Sequence, residues 1–358
     1  MPTTTTPTPA PTTAAAPARR RDPRAAVWVP AALVVLVASV VGSVMVGAAD
    51  LGAADVGRTL VTHLGLGGLL GVEPLPALQD ATIWELRMPR VLTAAAVGAG
   101  LAVCGVVMQA LTRNPLADPY LLGLSSGASF GAVLVLGAGV ALLLPLAAFV
   151  GALAALAAAL LLARAMGVMT PTRIVLAGLA VSQLAAAATS FVVFWSAQGD
   201  AYRDILSWLM GSVARSTWTS VAIAGVAVLV VGGLLASTGS VLDAFTFGDT
   251  AAAGLGLDVQ RTRWVLLVGV ALLTGALVSV SGAIGFVGLT LPHAVRMLTG
   301  ARHRLLLPLA GLFGASFLVW ADTIARTVFA PRELPVGIVT AAIGAPVFAV
   351  LLWRGKAV

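Results

Sequence analysis

The sequence predicts an all-α polytopic membrane protein with about ten transmembrane helices. Of its 358 residues, 59% are hydrophobic and only 10% are charged, whereas soluble domains carry roughly 45–50% apolar and about 25% charged residues. Apolar stretches recur over residues 27–353, and most of them approach the roughly 20 residues that a helix needs to cross a bilayer. A single soluble core cannot bury this much apolar surface, so the chain is expected to cross a membrane many times.

Proline, glycine and clusters of charge divide the apolar stretches into spans. The first span follows a group of arginines and is long enough to cross the membrane. The apolar stretch of a signal peptide is shorter and ends at a cleavage site, so an uncleaved first helix is favoured. The eighth is the weakest, because it is short and contains Gly288 and Pro292, which favours a broken helix. The predicted spans are 27–49, 91–111, 120–138, 142–163, 173–195, 218–236, 264–281, 285–299, 305–325 and 336–353.

Three polar segments between the spans are long enough to do more than turn the chain, namely 50–90, 196–218 and 237–263. The second contains D-I-L-S-W-L-M-G-S, an amphipathic pattern that predicts a short helix at the membrane interface. Between the second and third spans, R-N-P-L-A-D-P predicts a tight turn, because its two prolines end one helix and start the next.

Residues 1–26 are Thr, Pro and Ala followed by R-R-R-D-P-R. Because this composition buries too little apolar surface to order itself, a disordered cytoplasmic tail is predicted. Cytoplasmic loops carry an excess of Lys and Arg, and with the N-terminus inside, the inner segments hold 14 of the 21 basic residues. Both termini are therefore expected in the cytoplasm. Membrane topology, rather than nucleic-acid binding, explains the net charge of +7.

The sequence contains no pattern that indicates a catalytic, cofactor or metal site. Lys356 is the only lysine and no glycine-rich phosphate-binding loop precedes it, so any ATP that drives this protein is hydrolysed by another chain. His63, His293 and His303 are not spaced as zinc ligands on a helix. Cys104 is the only cysteine and is interpreted as a packed core residue.

Asp322, in W-A-D-T-I-A-R, is the one clear ionisable residue inside a predicted span. Such residues are costly in a bilayer and indicate a functional site or a specific partner. Arg326 lies one helical turn further along and can pair with Asp322. Two interpretations stay open, a structural ion pair or helix anchor and a transport role in a proton-coupled carrier.

Three long stretches carry a resemblance to a known family. The first is E-L-R-M-P-R at 85–90, followed by G-A-G-L-A-V-C-G-V-V-M-Q-A-L-T-R-N-P-L-A-D-P-Y-L-L-G-L-S-S-G-A; the second is S-G-A-I-G-F-V-G-L-T-L-P-H-A-V-R at 281–296. The third is A-D-T-I-A-R followed by E-L-P-V-G-I-V-T-A-A-I-G-A-P-V-F at 333–348. They resemble the FecCD-type permeases of ATP-binding-cassette (ABC) importers for iron-siderophores, haem and cobalamin.

The resemblance covers about residues 27–354, and it implies one permease domain of type II ABC importer architecture. It implies three kinds of partner: a second permease copy, either identical or a paralogue, two copies of an ABC ATPase, and an extracytoplasmic substrate-binding protein. The implied location is the bacterial cytoplasmic (inner) membrane. No cofactor is expected in the chain itself, and no nucleic acid among its partners.

The resemblance also suggests where the binding protein docks. Arg87 and Arg90 form the R-x-P-R motif, and Arg326 is a weaker match. In the family these arginines receive acidic side chains of the binding protein, which is plausible because an exposed guanidinium binds a carboxylate bidentately. The alternative is that they are ordinary interfacial arginines that anchor helix ends.

The inner segment 237–263 matches the coupling segment of the family. Its apolar-polar pattern, bounded by Gly248 and Gly256, predicts a small helix seated in a groove of the ATPase, which converts nucleotide-driven closure into movement of the spans. A plain surface loop is the alternative, but it leaves two exposed phenylalanines unexplained. The expected apolar contacts are Val241, Leu242, Phe245 and Phe247, and the acidic residues expected to face basic residues of the ATPase are Asp243 and Asp249.

The sequence therefore predicts a non-catalytic permease subunit that imports a metal chelate by alternating access. A ferric siderophore is the first candidate for the cargo, with cobalamin and haem as alternatives. A proton-coupled secondary transporter is the main rival and would depend on Asp322. A membrane-embedded enzyme is a further alternative, but the sequence shows no catalytic pair.

Overall fold

The computed structural model describes residues 25–47, 51–167, 170–196 and 200–354, and within these ranges the chain is helical with no strand. The predicted tail, apart from residues 25 and 26, lies outside the described residues. The helices are α1 (Ala25–Met45), α2 (Ala53–His63), α3 (Gly67–Leu70), α4 (Ala77–Ala81), α5 (Met88–Thr112), α6 (Leu124–Gly137), α7 (Leu144–Ala165), α8 (Pro171–Ser196), α9 (Asp200–Leu209), α10 (Trp218–Ala227), α11 (Gly233–Ser237), α12 (Gly239–Thr246), α13 (Asp249–Gly254), α14 (Val259–Ser281), α15 (Val287–Thr299), α16 (His303–Thr327) and α17 (Val336–Arg354).

Every predicted span coincides with a helix. Seven helical stretches of the described chain are long and apolar enough to cross a membrane, and α6 and α17 contain shorter apolar helices. The eighth predicted span is α15, which has 13 residues and continues through Pro292. The all-α polytopic architecture is confirmed.

The second span is longer than predicted. A π-helical turn (Thr82–Arg87) joins α4 to α5, so one helical stretch runs over Ala77–Thr112. The sequence placed its start at residue 91, because Pro89 and the charges before it interrupt the apolar run. Proline is tolerated in the first turn of a helix, where its missing N–H has no partner to lose. The R-x-P-R motif therefore lies on a helix and not in a loop.

Two breaks in helical structure contact each other inside the bundle. Asp118 accepts a hydrogen bond from the backbone N–H of Tyr120 (2.8 Å) at a short 3-10 turn, and α6 begins only after it. The chain between α14 and α15 is irregular, and its Phe286 has φ of 68°. The Tyr120 hydroxyl lies 3.0 Å from the Ile284 carbonyl oxygen and 3.2 Å from the Ile284 nitrogen, so it joins the two breaks.

Close helix packing depends on glycine. A methyl group at Gly98 of α5 would overlap the carbonyl oxygen of Gly314 of α16, and one at Gly105 would overlap that of Gly288 of α15. Gly127 of α6 and Gly151 of α7 approach each other in the same way. Small residues allow membrane helices to approach until their backbones touch, so α5 is enclosed among its neighbours.

The short helices lie at two opposite ends of the bundle. Helices α2 and α4 contact the π-helical turn before α5, α3 contacts α2 and α9 contacts α6, and we call this end the α2 end. Helix α12 contacts α5 and α16 near Arg113 and Arg304, α13 contacts α12 and α14, and we call this end the α12 end. The short helix predicted in 196–218 is confirmed as α9, and segment 237–263 contains two short helices, α12 and, between Gly248 and Gly256, α13.

Candidate functional site

Arg90 lies in the first turn of α5 and binds two carboxylates at the α2 end. Its Nε donates to Asp322 Oδ2 (2.8 Å) and its Nη2 to Asp322 Oδ1 (2.9 Å), a bidentate pair with α16. Its Nη1 donates to Glu333 Oε2 (2.7 Å) in the loop after α16. The side chain of Asp322 is 2% exposed and that of Glu333 is 45% exposed, so Arg90 has one buried and one accessible partner.

The expected pairing of Asp322 with Arg326 is wrong. Asp322 points towards α5, where Arg90 takes both of its carboxylate oxygens. Arg326 instead donates through Nη2 to the carbonyl oxygen of Ser43, and to the Ser43 hydroxyl at 3.0 Å. The partner of Asp322 is 232 positions away in sequence, so helical spacing gave no signal for it.

Arg87 makes an analogous contact with α1. Its Nη1 donates to the carbonyl oxygens of Val44 (2.7 Å) and Met45 (3.3 Å) at the end of that helix. The last carbonyls of a helix have no partner within the helix and carry partial negative charge. Arg87 and Arg326 therefore hold the C-terminus of α1 against α5 and α16, as the helix-anchor interpretation expected.

These arginines line a cleft of about 800 Å³ at the α2 end, which we call the arginine cleft. Arg87 and Arg90 are each 8% exposed, so they lie on its inner wall and are less accessible than the sequence suggested. The lining residues are Val46, Gly47, Thr82, Leu86, Arg87, Arg90, Ala214, Ser216, Arg326, Thr327, Ala330, Pro331 and Glu333.

Sequence reasoning missed an aromatic cluster near the cleft. His63 of α2 stacks on Trp84 of the π-helical turn, with ring centroids 4.0 Å apart, and Trp84 contacts Trp218 of α10 at 4.5 Å. His63 Nε2 also lies 2.8 Å from Asp80 Oδ2. The cluster joins α2 and α10 to the turn that carries Arg87. The sequence held no signal for it, because its three rings come from distant segments.

At the α12 end, the segment 237–263 is bonded to two spans. Asp243 Oδ1 of α12 accepts from the backbone N–H of His303 (3.0 Å) and lies 2.8 Å from His303 Nδ1, at the start of α16. Asp249 of α13 accepts from Arg263 Nη2 of α14 at 2.8 and 3.1 Å. Contrary to expectation, both carboxylates have partners inside the chain.

The expected exposure of the apolar residues holds only in part. Leu242 and Phe245 are buried, at 0% and 1% exposure, and the Arg263 guanidinium lies 5.6 Å from the centre of the Phe245 ring. Val241 is half-buried, and Phe247 is 80% exposed. Leu242 and Phe245 therefore pack α12 onto the bundle, which corrects the prediction that they form a surface for the ATPase. Of the two phenylalanines, only Phe247 has an exposed side chain.

The described residues show no constellation for covalent chemistry. They contain no group of three His, Cys, Asp or Glu side chains that could hold a metal ion, and Cys104 is buried. At the turn between α5 and α6, Asp118 and Tyr120 are hydrogen-bonded to backbone groups. Their hydrogen bonds lie within the turn and to Ile284, which indicates a structural role.

Comparisons with known proteins point to one family. The model of the FecCD transport family matches residues 34–354. The vitamin B12 import system permease protein BtuC of Vibrio cholerae is 42% identical over 296 residues, 81% of this chain and 88% of BtuC. The hemin transport system permease protein HmuU of Yersinia pestis is 42% identical over 284 residues, 76% of this chain and 84% of HmuU. A solved structure of an inward-facing metal-chelate type ABC transporter superposes with a TM-score of 0.80 at 32% identity, covering 91% of this chain and 98% of that one.

Proposed function

The chain belongs to the FecCD transport family and is a non-catalytic permease subunit of an ABC importer, and from this premise we propose that it imports a ferric siderophore by alternating access. The observation that carries the metal-chelate class is the match to the metal-chelate type transporter over 91% of the chain. The relatives are named for vitamin B12 and hemin, which are themselves metal chelates. Cobalamin and haem are therefore the alternative cargoes.

The proposed orientation puts the α12 end in the cytoplasm of a bacterium and the α2 end outside its inner membrane. It is supported by the excess of arginine in the segments assigned to the inside. Both chain termini then lie in the cytoplasm.

The arginine cleft is the proposed docking site for acidic side chains of the substrate-binding protein. Three guanidinium groups, those of Arg87, Arg90 and Arg326, line it together with one carboxylate, Glu333. Charge complementarity of this kind speeds association and selects the partner. The bonds of Arg87 and Arg326 to α1 fix their side chains in place, so little side-chain freedom is lost when a partner binds.

The α12–α13 segment is the proposed docking site for the ATPase, with the exposed Phe247 and the half-buried Val241 as its apolar contacts. Asp243 and Asp249 are held by His303 and Arg263, and their side chains remain 38% and 42% exposed. They therefore keep surface for the basic residues of the ATPase proposed to face them. The proposed assembly has two permease copies, identical or paralogous, and two ATPase subunits.

The rival proton-coupled mechanism has less support. A carboxylate that carries protons has to be free to bind and release them, whereas Arg90 holds both oxygens of Asp322 in a buried bidentate pair. We therefore assign Asp322 to the arginine cleft as a structural partner of Arg90.

Uptake of a radioactive ferric siderophore into proteoliposomes tests the function. The liposomes contain the permease with its ATPase, and the loaded binding protein is added outside. We expect uptake that requires ATP and both partners, with loaded binding protein stimulating hydrolysis. The same uptake measurement with radioactive cobalamin or haemin, each loaded on its own binding protein, tests the alternative cargoes. Uptake driven by a proton gradient in the permease alone, and lost in Asp322→Asn, would contradict the proposal.

A further inference from the structure

The two carboxylates on Arg90 are held very differently. Asp322 approaches from the bundle, accepts from Nε and Nη2, and its side chain is 2% exposed. Glu333 approaches from the cleft, accepts from Nη1 alone, and its side chain is 45% exposed. Buried bidentate pairs are costly to break, whereas exposed single-contact ion pairs contribute little stability. Of the two, only Glu333 is easily displaced.

The backbone of the loop that carries Glu333 is held independently of its side chain. The N–H of Leu334 donates to the carbonyl oxygen of Ala325 (2.9 Å), which fixes the loop to the end of α16. Within the part of the chain that the structure describes, the Glu333 carboxylate hydrogen-bonds only to Arg90. The side chain can therefore leave Arg90 without unfolding the loop.

We propose that Glu333 accepts from Arg90 Nη1 in place of a carboxylate of the binding protein. When the binding protein docks, one of its acidic side chains displaces Glu333 from this position. This inference rests on the proposed docking of that protein at the arginine cleft. Asp322 holds the guanidinium in a fixed plane, so Nη1 points into the cleft whichever carboxylate it meets. Glu333 also places a negative charge beside the incoming one, which weakens docking and limits it to partners that present a carboxylate.

Glu333→Gln should strengthen the docking of the binding protein. The substitution keeps the size of the side chain and removes one negative charge from the cleft. Like charges within a few ångströms repel appreciably near a protein surface, so the association constant of the binding protein should rise about threefold to tenfold at low salt. The gain should appear mainly in the association rate and should shrink as salt screens the charge.

The test uses the complete permease–ATPase complex in nanodiscs and the substrate-binding protein of the same transport system. Binding rates are measured by surface plasmon resonance at several salt concentrations, with and without ferric siderophore on the binding protein. Asp204→Asn is the matched control, because Asp204 forms an exposed ion pair with Arg215 (3.0 Å, side chain 41% exposed) and does not line the cleft. Its effect on binding should be smaller than that of Glu333→Gln.

A third variant, Arg87→Gln, tests the docking site independently of Glu333. Arg87→Gln removes a positive charge from the cleft wall and should weaken binding. If Arg87→Gln weakens binding while Glu333→Gln leaves it unchanged or also weakens it, the cleft is the docking site and the role of Glu333 is overturned. If neither variant changes binding, the docking site itself is wrong. The thermal midpoint of each variant shows whether it is folded.

Discussion

At the residue scale, the bidentate pair of Arg90 and Asp322 joins α5 to α16 near one end of the bundle. Both groups are largely removed from solvent, and the second partner of Arg90, Glu333, is half-exposed. A buried charge that loses its partner is left with an uncompensated desolvation cost. The pair therefore determines how Arg90 is presented to the cleft.

Asp322→Asn should destabilise the permease by about 3 kcal/mol, because it leaves the buried Arg90 guanidinium without its main counter-charge. The measurement is the free energy of unfolding in detergent. The double variant Arg90→Met with Asp322→Leu should recover much of the loss, since two apolar residues need no partner. An unfolding free energy equal to that of the unmodified chain in Asp322→Asn would contradict this role of the pair.

At the element scale, glycine contacts set how closely the spans pack around α5. Gly105 and Gly98 lie on this helix, and a methyl group at either position would overlap a backbone carbonyl of α15 or α16. Backbone atoms cannot move aside as the end of a side chain does, so the helix itself has to shift. The contacts therefore fix the separation of whole helices.

Gly105→Ala should destabilise the fold by about 1 to 3 kcal/mol, as overpacking of a close-packed interior does. Gly225→Ala in α10 is the matched control, because a methyl group there would meet nothing within 4 Å. Alanine is the better helix former, so this control should be neutral or stabilise by up to about 1 kcal/mol. Equal effects of the two substitutions on the thermal midpoint in detergent would contradict the packing explanation.

At the scale of the whole molecule, α16 connects the two proposed docking regions. Its first residue, His303, is bonded to Asp243 of α12, and its Asp322 holds Arg90 at the arginine cleft. One continuous helix of 25 residues lies between them. Movement of α12 on an ATPase would therefore reach the cleft through a single rigid element.

Asp243→Ala should lower the amount of siderophore taken up per ATP hydrolysed by about twofold to tenfold, the size of effect that residues on a coupling route produce. The reason is that α12 loses its bond to α16 while Leu242 and Phe245 still pack it onto the bundle. Uptake and hydrolysis are measured in the same proteoliposomes, with Asp204→Ala as a control at the other end. An unchanged ratio in Asp243→Ala would mean that α16 does not carry the movement.

The sequence by itself determined the fold class, the helices that form the apolar spans, and the presence of short helices in the segments 196–218 and 237–263. It did so because apolar run length, proline, glycine and charge act locally, so ten predicted spans coincide with helices even where their ends shift by several residues, as at α5 and α6. The motifs also indicated the family, and they placed Arg87, Arg90 and Phe247 at the two ends where partners are proposed to dock.

Only the tertiary structure decided which side chains meet. Asp322 binds Arg90 and not Arg326, and Phe245 is buried while Phe247 is exposed. Such outcomes depend on how each helix is rotated about its axis, and this rotation is set by packing between spans that are distant in sequence. Residue spacing gives the face of a helix on which a residue lies, but the neighbour on that face is determined by the glycine contacts that bring α5, α15 and α16 together.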